Sequence, residues 1–395
     1  MKQVTIVGLG MSADTLTAQG RRAAEQADIL IGAPRLIAQL KQLGKPSFPE
    51  YTPEAVARLI EQHESKRFCV LVSGDTGFYS AAEGLGATLR DYSPVLIPGI
   101  SSLSYFFARL RRPWQDAEVV SCHGRSGNLA DAVRRNPLTF ALTGGNMADL
   151  GEELAQAGWG DLTAHIGENL GSPEERMLTL PVSDLPAAGI GKLAVLLVEN
   201  PGWDQRIRCG IPDGEFLRGD VPMTKAETRA VIMSKLALSP RAVCCDIGAG
   251  TGSVTVEMAL AAYEGQVYAL DKNEAAIRLI QANCRAFHLG NVTAILAEAP
   301  GLLEQLPPLD AAFIGGSSGR LAEIFDALFA KNPRIRIVVS AVTLETVHAA
   351  SAAFAAYGMV PEIIQLGVTR TRQVGNLHML QGTSPVFIFS GGKNE

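Results

Sequence analysis

A glycine-rich turn in the second half of the chain carries residues suited to holding a nucleoside. An apolar stretch that is typical of a buried strand ends at Asp246 and Ile247. The turn after it consists of Gly248, Ala249, Gly250, Thr251 and Gly252. Glycines there let the backbone approach a ligand closely. Asp271, 19 residues beyond Gly252, ends the next predicted strand, where a carboxylate accepts hydrogen bonds from both ribose hydroxyls.

The spacing of these residues favours S-adenosylmethionine over a nicotinamide dinucleotide. A G-x-G-x-x-G motif needs a third glycine at position 253, where this chain has serine. Adenosylmethionine has no phosphate but carries an ammonium group, and an acid such as Asp246 suits that group. The alternative is a simple tight turn, but Asp246 and Asp271 in a strand–turn–helix context argue against it. We therefore predict an S-adenosylmethionine site.

Three neighbouring segments are predicted to complete this site. Thr224 and Glu227 have the spacing of a capping box, which explains both as helix-start residues but also lets Thr224 face the cofactor. Ala297 and Glu298 end the third predicted strand, where adenine would lie. The segment 315–319 follows the fourth strand, either as the edge at which the methyl acceptor enters or as a flexible turn.

Two loops in the first half indicate a second ligand site. Residues 73–79, with Asp75, and residues 97–102 follow two apolar strands that are predicted to be neighbours. The carboxyl ends of parallel strands form the edge at which such sheets bind ligands. The alternative for Asp75 is a helix cap.

Alternating strands and helices predict an α/β protein. We expect residues 1–205 to form one domain with two lobes split near residue 113, 206–222 a linker rich in glycine and proline, and 223–395 a doubly wound, Rossmann-like domain. That last domain closes with an antiparallel pair, 362–369 with 386–390. The predicted fold class is therefore α/β in both halves.

Composition limits the partners and the compartment. A net charge of −5 gives the whole chain no attraction for nucleic acid or an acidic membrane. The six cysteines lack C-x-x-C spacing, which favours buried thiols in a reducing compartment over disulfides or a metal site. We expect a cytoplasmic protein with no bound metal, no nucleic-acid partner and no membrane partner.

With these motifs assembled, both halves resemble known families. The segments 7–10, 73–75, 98–102 and 121–125 resemble the tetrapyrrole (corrin/porphyrin) methylases. The segments 222–225, 246–252 and 313–316 resemble class I methyltransferases of the precorrin-decarboxylating type. The order of the halves resembles the fused, decarboxylating precorrin methyltransferases of cobalamin biosynthesis.

The resemblance implies one S-adenosylmethionine site in each half and a tetrapyrrole substrate. The first half would methylate C-5; the second would methylate C-15 and remove carbon dioxide from the ring C acetate. It also implies a homo-oligomer. The residues implied to line the cofactor cleft of the first half are Asp75, Phe78, Ser101, Ser102 and Leu142.

The same resemblance implies a substrate with many carboxylates, which arginine pairs bidentately. The candidate substrate-binding residues are Arg109, Arg112, Arg125, Lys225, Arg229 and Arg372; for any one of them solvated surface is the favoured alternative, and as a class they remain candidates. The catalytic residues are not assigned by the sequence, and His123 and His378 are candidate proton donors.

An alternative function is S-adenosylmethionine-dependent methylation of RNA or protein, with a non-catalytic first half. The absence of a basic face and of an N/D-P-P-Y-type motif counts against it. An arginine-rich stretch before Trp114 is its support.

Overall fold

Continuous apolar runs in the first half form a parallel sheet. The computed structural model describes residues 2–123, 128–205 and 208–392. Residues 68–72 are all buried, as expected for a parallel strand covered on both faces. The sheet has the order β3-β2-β4-β1-β5. Its strands are β1 (Gln3–Gly8), β2 (Ile29–Gly32), β3 (Ser47–Phe48), β4 (Arg67–Val72) and β5 (Val95–Ile97), and the helices among them are α1 (Ala18–Gln26), α2 (Pro34–Gln39), α3 (Pro53–Gln62), α4 (Ala82–Thr88) and α5 (Ser102–Arg109).

A second sheet follows, with mainly antiparallel pairing. Its order is β6-β7-β10-β8-β9, and β6 with β7 is the parallel pair. The strands are β6 (Ala117–Ser121), β7 (Leu138–Leu142), β8 (Thr163–Glu168), β9 (Arg176–Pro181) and β10 (Ala194–Glu199), and the helices of this stretch are α6 (Leu129–Arg135) and α7 (Met147–Gln156). Both sheets lie in one compact unit made of Met1–Ser126, Asn136–Gly151 and Leu162–Pro201.

The second compact unit contains a seven-stranded sheet of order β13-β12-β11-β14-β15-β19-β16. It comprises Gly202–Glu395 with Gly127–Arg135 and Glu152–Asp161. The strands are β11 (Val243–Ile247), β12 (Gln266–Asp271), β13 (Val292–Leu296), β14 (Ala311–Ile314), β15 (Arg336–Ala341), β16 (Glu362–Leu366), β17 (Thr369–Val374), β18 (Leu377–Gly382) and β19 (Val386–Gly391). The helices are α8 (Ala226–Leu236), α9 (Ser253–Ala261), α10 (Glu274–Ala286), α11 (Leu321–Lys331) and α12 (Leu344–Ala356).

Successive side chains of each strand point to opposite faces of the sheet, so the core of this unit has one part on each face. Cys244 packs with residues of α8, α9 and α10, and its neighbour Cys245 packs with residues of α11 and α12. Strand β19 is antiparallel to both β15 and β16, which confirms the closing antiparallel pair. Ile211 and Phe216, inside the stretch predicted as a linker, are buried in this core. The α/β class predicted from the sequence is confirmed in both units.

Two surface properties complete the description. Five of the six cysteines are buried, and Cys209 is exposed, contrary to the expectation that all are buried. Within the part of the chain that the structure describes, no helix is long and apolar enough to cross a membrane.

Three backbone segments approach very closely at the carboxyl edge of the first sheet. Gly10 and Gly74 exchange two backbone hydrogen bonds of 3.1 Å. A Cβ atom on Gly99 would lie 2.3 Å from the carbonyl oxygen of Gly74 and 2.5 Å from that of Gly8. Because these atoms belong to the backbone, no side-chain rotation relieves such a clash.

We predict that Gly99→Ala strongly destabilises the first unit, because the added methyl group forces the three loops apart. Thermal unfolding followed by circular dichroism measures the effect. Gly86→Ala is the matched control, since a Cβ at that position of α4 meets no atom within 4 Å. Alanine favours the helix there, so the control gains about 0.5–1 kcal/mol. Equal unfolding temperatures for the two variants would contradict the prediction.

Candidate functional site

Asp271 joins the end of β12 to the glycine turn that follows β11. Its Oδ2 atom accepts a hydrogen bond of 2.9 Å from the Gly250 amide, and its Oδ1 atom accepts one of 2.9 Å from the Asn273 amide. Each oxygen of an ionised carboxylate has two acceptor positions. Asp271 therefore fixes the turn and keeps acceptor capacity for the hydroxyl groups of a ligand.

The glycines of this turn are required by conformation and by space. Gly248 and Gly250 have φ angles of +74° and +58°. A Cβ on Gly248 would lie 2.7 Å from the amide nitrogen of Gly316, and one on Gly250 would lie 2.6 Å from the carbonyl oxygen of Pro222. The turn, the segment before α8 and the loop after β14 thus meet backbone to backbone.

These elements surround a cavity of about 340 Å³ at the carboxyl ends of β11, β12, β13 and β14. A larger cavity of about 590 Å³ beside α11 has no strand-end glycine turn in its lining. The smaller cavity is lined by Val221, Pro222, Thr224, Ile247, Gly248, Ala249, Gly250, Leu270, Asp271, Lys272, Asn273, Ala297, Glu298, Ala299, Gly315, Gly316, Ser317, Ser318 and Ile324.

The cavity brings together seven of the candidate cofactor-binding residues. They are Thr224, Gly248, Ala249, Gly250, Asp271, Ala297 and Glu298. Lys272 and Asn273 also line it, although sequence reasoning did not select them. Both directly follow Asp271 at the end of β12. The strand-end position that indicated Asp271 therefore also indicates these two residues.

Asp246, Thr251 and Gly252 are absent from the described lining of the cavity. Asp246 is fully buried, and its Oδ2 atom accepts a hydrogen bond of 2.5 Å from the Thr255 hydroxyl of α9. Burial, and to a lesser degree the negative charge of Asp271, raises the pKa of Asp246 to about 7. Through this hydrogen bond Asp246 holds α9 against the end of β11, whereas its Oδ1 atom has no hydrogen-bond partner among the described residues. The role of Asp246 as an ammonium partner stays a prediction.

Asp75 ties two loops of the first unit together. Its Oδ1 atom accepts a hydrogen bond of 2.8 Å from the Gly77 amide, and its Oδ2 atom accepts one of 3.1 Å from Gly99. The helix-cap alternative is therefore not what the structure contains. Asp75 instead holds the loop after β4 against the loop after β5.

The other candidates of the first unit surround these loops. Ser101 caps α5 by accepting a hydrogen bond of 3.1 Å from the Ser104 amide, and Ser102 begins that helix. Phe78 packs against the buried cluster that contains Leu142 and Phe140. Asp75, Phe78 and Ser101 therefore lie on one connected set of loops, and Leu142, at the end of β7, belongs to the cluster against which Phe78 packs.

Arg229 is not a substrate-binding residue, because it has no exposed surface. Its side chain is 0% exposed and donates hydrogen bonds of 2.8 Å to Glu257 and 3.0 Å to Asp213. It also donates to the carbonyl oxygens of Thr224 and Ile211. This buried network corrects the sequence interpretation.

The remaining cationic candidates differ in their surroundings. Arg109 pairs with Glu175 at 2.8 Å, and Arg112 pairs with Glu199. Lys225 is about half exposed, and Arg372 is exposed on β17. Arg125 lies outside the described residues.

The two candidate histidines lie at the surface. His123 is exposed after β6, and His378 is exposed on β18 opposite Gln373 of β17. Among the described residues, no three His, Cys, Asp or Glu side chains form a group able to hold a metal ion.

Comparisons with known proteins match each half separately. Residues 3–186 match the model of the tetrapyrrole (corrin/porphyrin) methylases, and residues 215–393 match that of the precorrin methyltransferase domain. A probable cobalt-precorrin-6B C(15)-methyltransferase (decarboxylating) from Pyrobaculum calidifontis is 40% identical over 184 residues, covering 46% of this chain and 94% of that protein.

Two further proteins are similar to part of this chain. The cobalt-precorrin-6B C(15)-methyltransferase (decarboxylating) of Salmonella typhimurium is 38% identical over 46% of this chain and 96% of its own length. The crystal structure of a precorrin-6y C5,15-methyltransferase from Geobacter metallireducens is 36% identical, covers 48% of this chain and 98% of that one, and has a TM-score of 0.45.

The family assignment rests on the sequence matches, which extend over nearly the whole length of the relatives. They also agree with the α/β architecture of both units. The chain is an enzyme of the methyltransferase class and, through residues 215–393, belongs to the precorrin methyltransferase family.

Proposed function

We propose that the chain methylates a precorrin twice with S-adenosylmethionine in cobalamin biosynthesis. The second half methylates C-15 and releases carbon dioxide from the ring C acetate, and the first half methylates C-5. The observation that carries the proposal is the cavity in which Asp271 binds the Gly250 amide at the carboxyl ends of four strands. The names of the relatives support C-15 methylation and decarboxylation for the second half.

The residues that line the cavity of the second half support the proposal of an S-adenosylmethionine site. Asp271 has acceptor capacity for ribose hydroxyls, and the backbone around Gly248 leaves no room for a side chain. Ala297 and Glu298 flank the place proposed for adenine, and Thr224 also lines the cavity. When bound, the cofactor supplies an electrophilic methyl group, so this chain needs no strong nucleophile of its own.

The chain then acts mainly by alignment and by exclusion of water. In methyl transfer the electron pair of an enamine-like carbon of the tetrapyrrole forms the new carbon–carbon bond while the sulfur–methyl bond breaks, and its electron pair leaves with S-adenosylhomocysteine. Loss of carbon dioxide leaves an electron pair that the conjugated macrocycle delocalises and a proton takes up. Ile247, Leu270 and Ile324 give the cavity apolar walls, which keep water from the reacting carbon. His123 and His378 remain candidate donors for that proton.

The first half is proposed to hold a second cofactor molecule. Its match to the tetrapyrrole methylases supports this, as do the loops joined by Asp75. We propose that residues 1–205 and 223–395 are the two catalytic domains and that the enzyme works as a cytoplasmic homo-oligomer. No nucleic-acid or membrane partner is part of the proposal.

Asp271→Asn is expected to remove the cofactor site of the second half. The amide keeps the size of the side chain but loses the charge that strengthens the hydrogen bonds from both ribose hydroxyls, so affinity falls about a hundredfold or more, below what the titration detects. Isothermal titration of the full chain with S-adenosylmethionine should show two sites per chain, with one lost in the variant.

Asp310→Asn is the matched control for this titration. Asp310 also accepts a backbone hydrogen bond, of 2.9 Å from Val243, but it lies at the opposite end of the strands. Its titration should equal that of the unmodified chain. Two undiminished sites in Asp271→Asn would show that the ribose site is elsewhere.

Product masses test the reaction and its division between the halves. Incubation with a precorrin-6B pool and labelled S-adenosylmethionine should give a product with two added methyl groups and one carbon dioxide lost. With Asp271→Asn, we expect one added methyl group and no loss of carbon dioxide, because the first half still acts. Methylation of RNA or protein instead of the precorrin would favour the alternative function.

A further inference from the structure

Three exposed cationic side chains surround one buried carboxylate oxygen beside the cavity of the second half. Asp213, 9% exposed, has its Oδ2 atom 3.7 Å from Arg218, 3.8 Å from Lys225 and 3.7 Å from Arg370. These distances exceed those of hydrogen bonds, and among the described residues this oxygen has no hydrogen-bond partner. We call Arg218, Lys225 and Arg370 the cation cluster.

The other oxygen of Asp213 explains why the carboxylate is held in this place. Its Oδ1 atom accepts hydrogen bonds of 3.0 Å from the Arg229 guanidinium and 3.0 Å from the Ala226 amide. Asp213 is therefore fixed by buried groups and does not need the three exposed cations for its own position. The three cations thus lie close to one another around Oδ2, and none of them donates a hydrogen bond to it.

The charges around this point do not cancel. Four cationic side chains, those of the cluster and Arg229, lie with the three carboxylates of Asp213, Glu227 and Glu257. Arg229 and Glu257 neutralise one another in the core. Each cluster member keeps 45–49% of its side chain exposed. Nε and Nη2 of Arg370 donate to Glu227, and Nε of Arg218 donates to the Asp213 carbonyl oxygen. The ammonium group of Lys225 and the remaining nitrogens of the two guanidinium groups are therefore the donors that face an anion from solution.

The position of the cluster relates it to the methyl acceptor. Lys225 directly follows Thr224, which lines the cavity, but none of the three cluster residues is in the described lining. An anion at the cluster would therefore lie outside the nucleoside cavity and next to its wall. A reaction that releases carbon dioxide requires an acceptor with a carboxylate, and arginine matches carboxylate geometry.

We propose that the cation cluster binds carboxylate side chains of the tetrapyrrole acceptor, an inference that rests on the function proposed above. A carboxylate that departs as carbon dioxide loses its charge in the transition state, so cations would oppose that step. The cluster therefore binds carboxylates that the product retains. Such contacts hold substrate and transition state equally and act on KM more than on kcat.

The double variant Arg218→Ala/Lys225→Ala tests this role. We expect KM for the precorrin to rise roughly tenfold with little change in kcat, since each lost pair is partly exposed to water. The product should still have lost carbon dioxide. The matched control is Arg241→Ala/Arg278→Ala, which removes the same charge from exposed pairs with Glu264 and Glu274 elsewhere in this unit.

A carboxylated porphyrin and its neutral carboxamide analogue provide a binding test that does not depend on turnover. The double variant should lose affinity for the carboxylated porphyrin and keep its affinity for the carboxamide analogue. Titration with S-adenosylmethionine should be unchanged, because a parallel loss would mean that the cluster serves the carboxylate of the cofactor and would overturn the proposal. Thermal unfolding of both double variants identifies any loss of structure. If the double variant does not fold, the binding test is repeated with Arg218→Lys, which preserves the charge.

The outcomes separate this proposal from the proposed function. Methylation of the precorrin with the same KM in variant and control overturns the cluster alone. Failure of the unmodified chain to methylate any precorrin, or to bind either porphyrin, overturns both.

Discussion

The buried guanidinium of Arg229 is the interaction on which the second unit depends most. It joins Glu257 of α9 to Asp213 and to two carbonyl oxygens of the segment before α8. Removing one partner of such a network leaves an uncompensated charge in the core, which is strongly destabilising. Because the same segment supplies Val221, Pro222 and Thr224 to the cavity, the shape of the cavity depends on this single side chain.

In both units, backbone segments approach one another closely at a sheet edge, and a glycine and an aspartate make this approach possible. In the first unit, Asp75 accepts the Gly99 amide; in the second, Asp271 accepts the Gly250 amide. The glycines remove the steric obstacle, and the carboxylate then fixes the distance. The two units nevertheless differ in sheet order and strand direction, so the likeness is one of local chemistry rather than of fold.

Sequence reasoning succeeded where a local pattern has a single physical meaning. Alternating strands and helices predicted the α/β class, and the residues chosen for their strand-end positions, Asp271, Ala297 and Glu298, line one cavity. Their role in binding the cofactor stays a prediction. Sequence reasoning failed where burial and long-range contacts decide. Nothing local distinguishes Arg229 from an exposed helix arginine, since its partners Asp213 and Glu257 lie 16 and 28 residues away. Strands β3, β9, β17 and β18 were also missed: β3 has only two residues, and β17 and β18 are exposed on every residue and have no buried face to create a period.

The central position of β19 has a consequence for the synthesis of this protein. The strand lies between β15 and β16, so both have open edges until residues 386–391 have left the ribosome. The second unit therefore completes its sheet only after translation of that segment, whereas the strands of the first unit are available much earlier. In prematurely terminated chains β15 would become an edge strand, and its unpaired backbone groups and apolar side chains would be a template for aggregation.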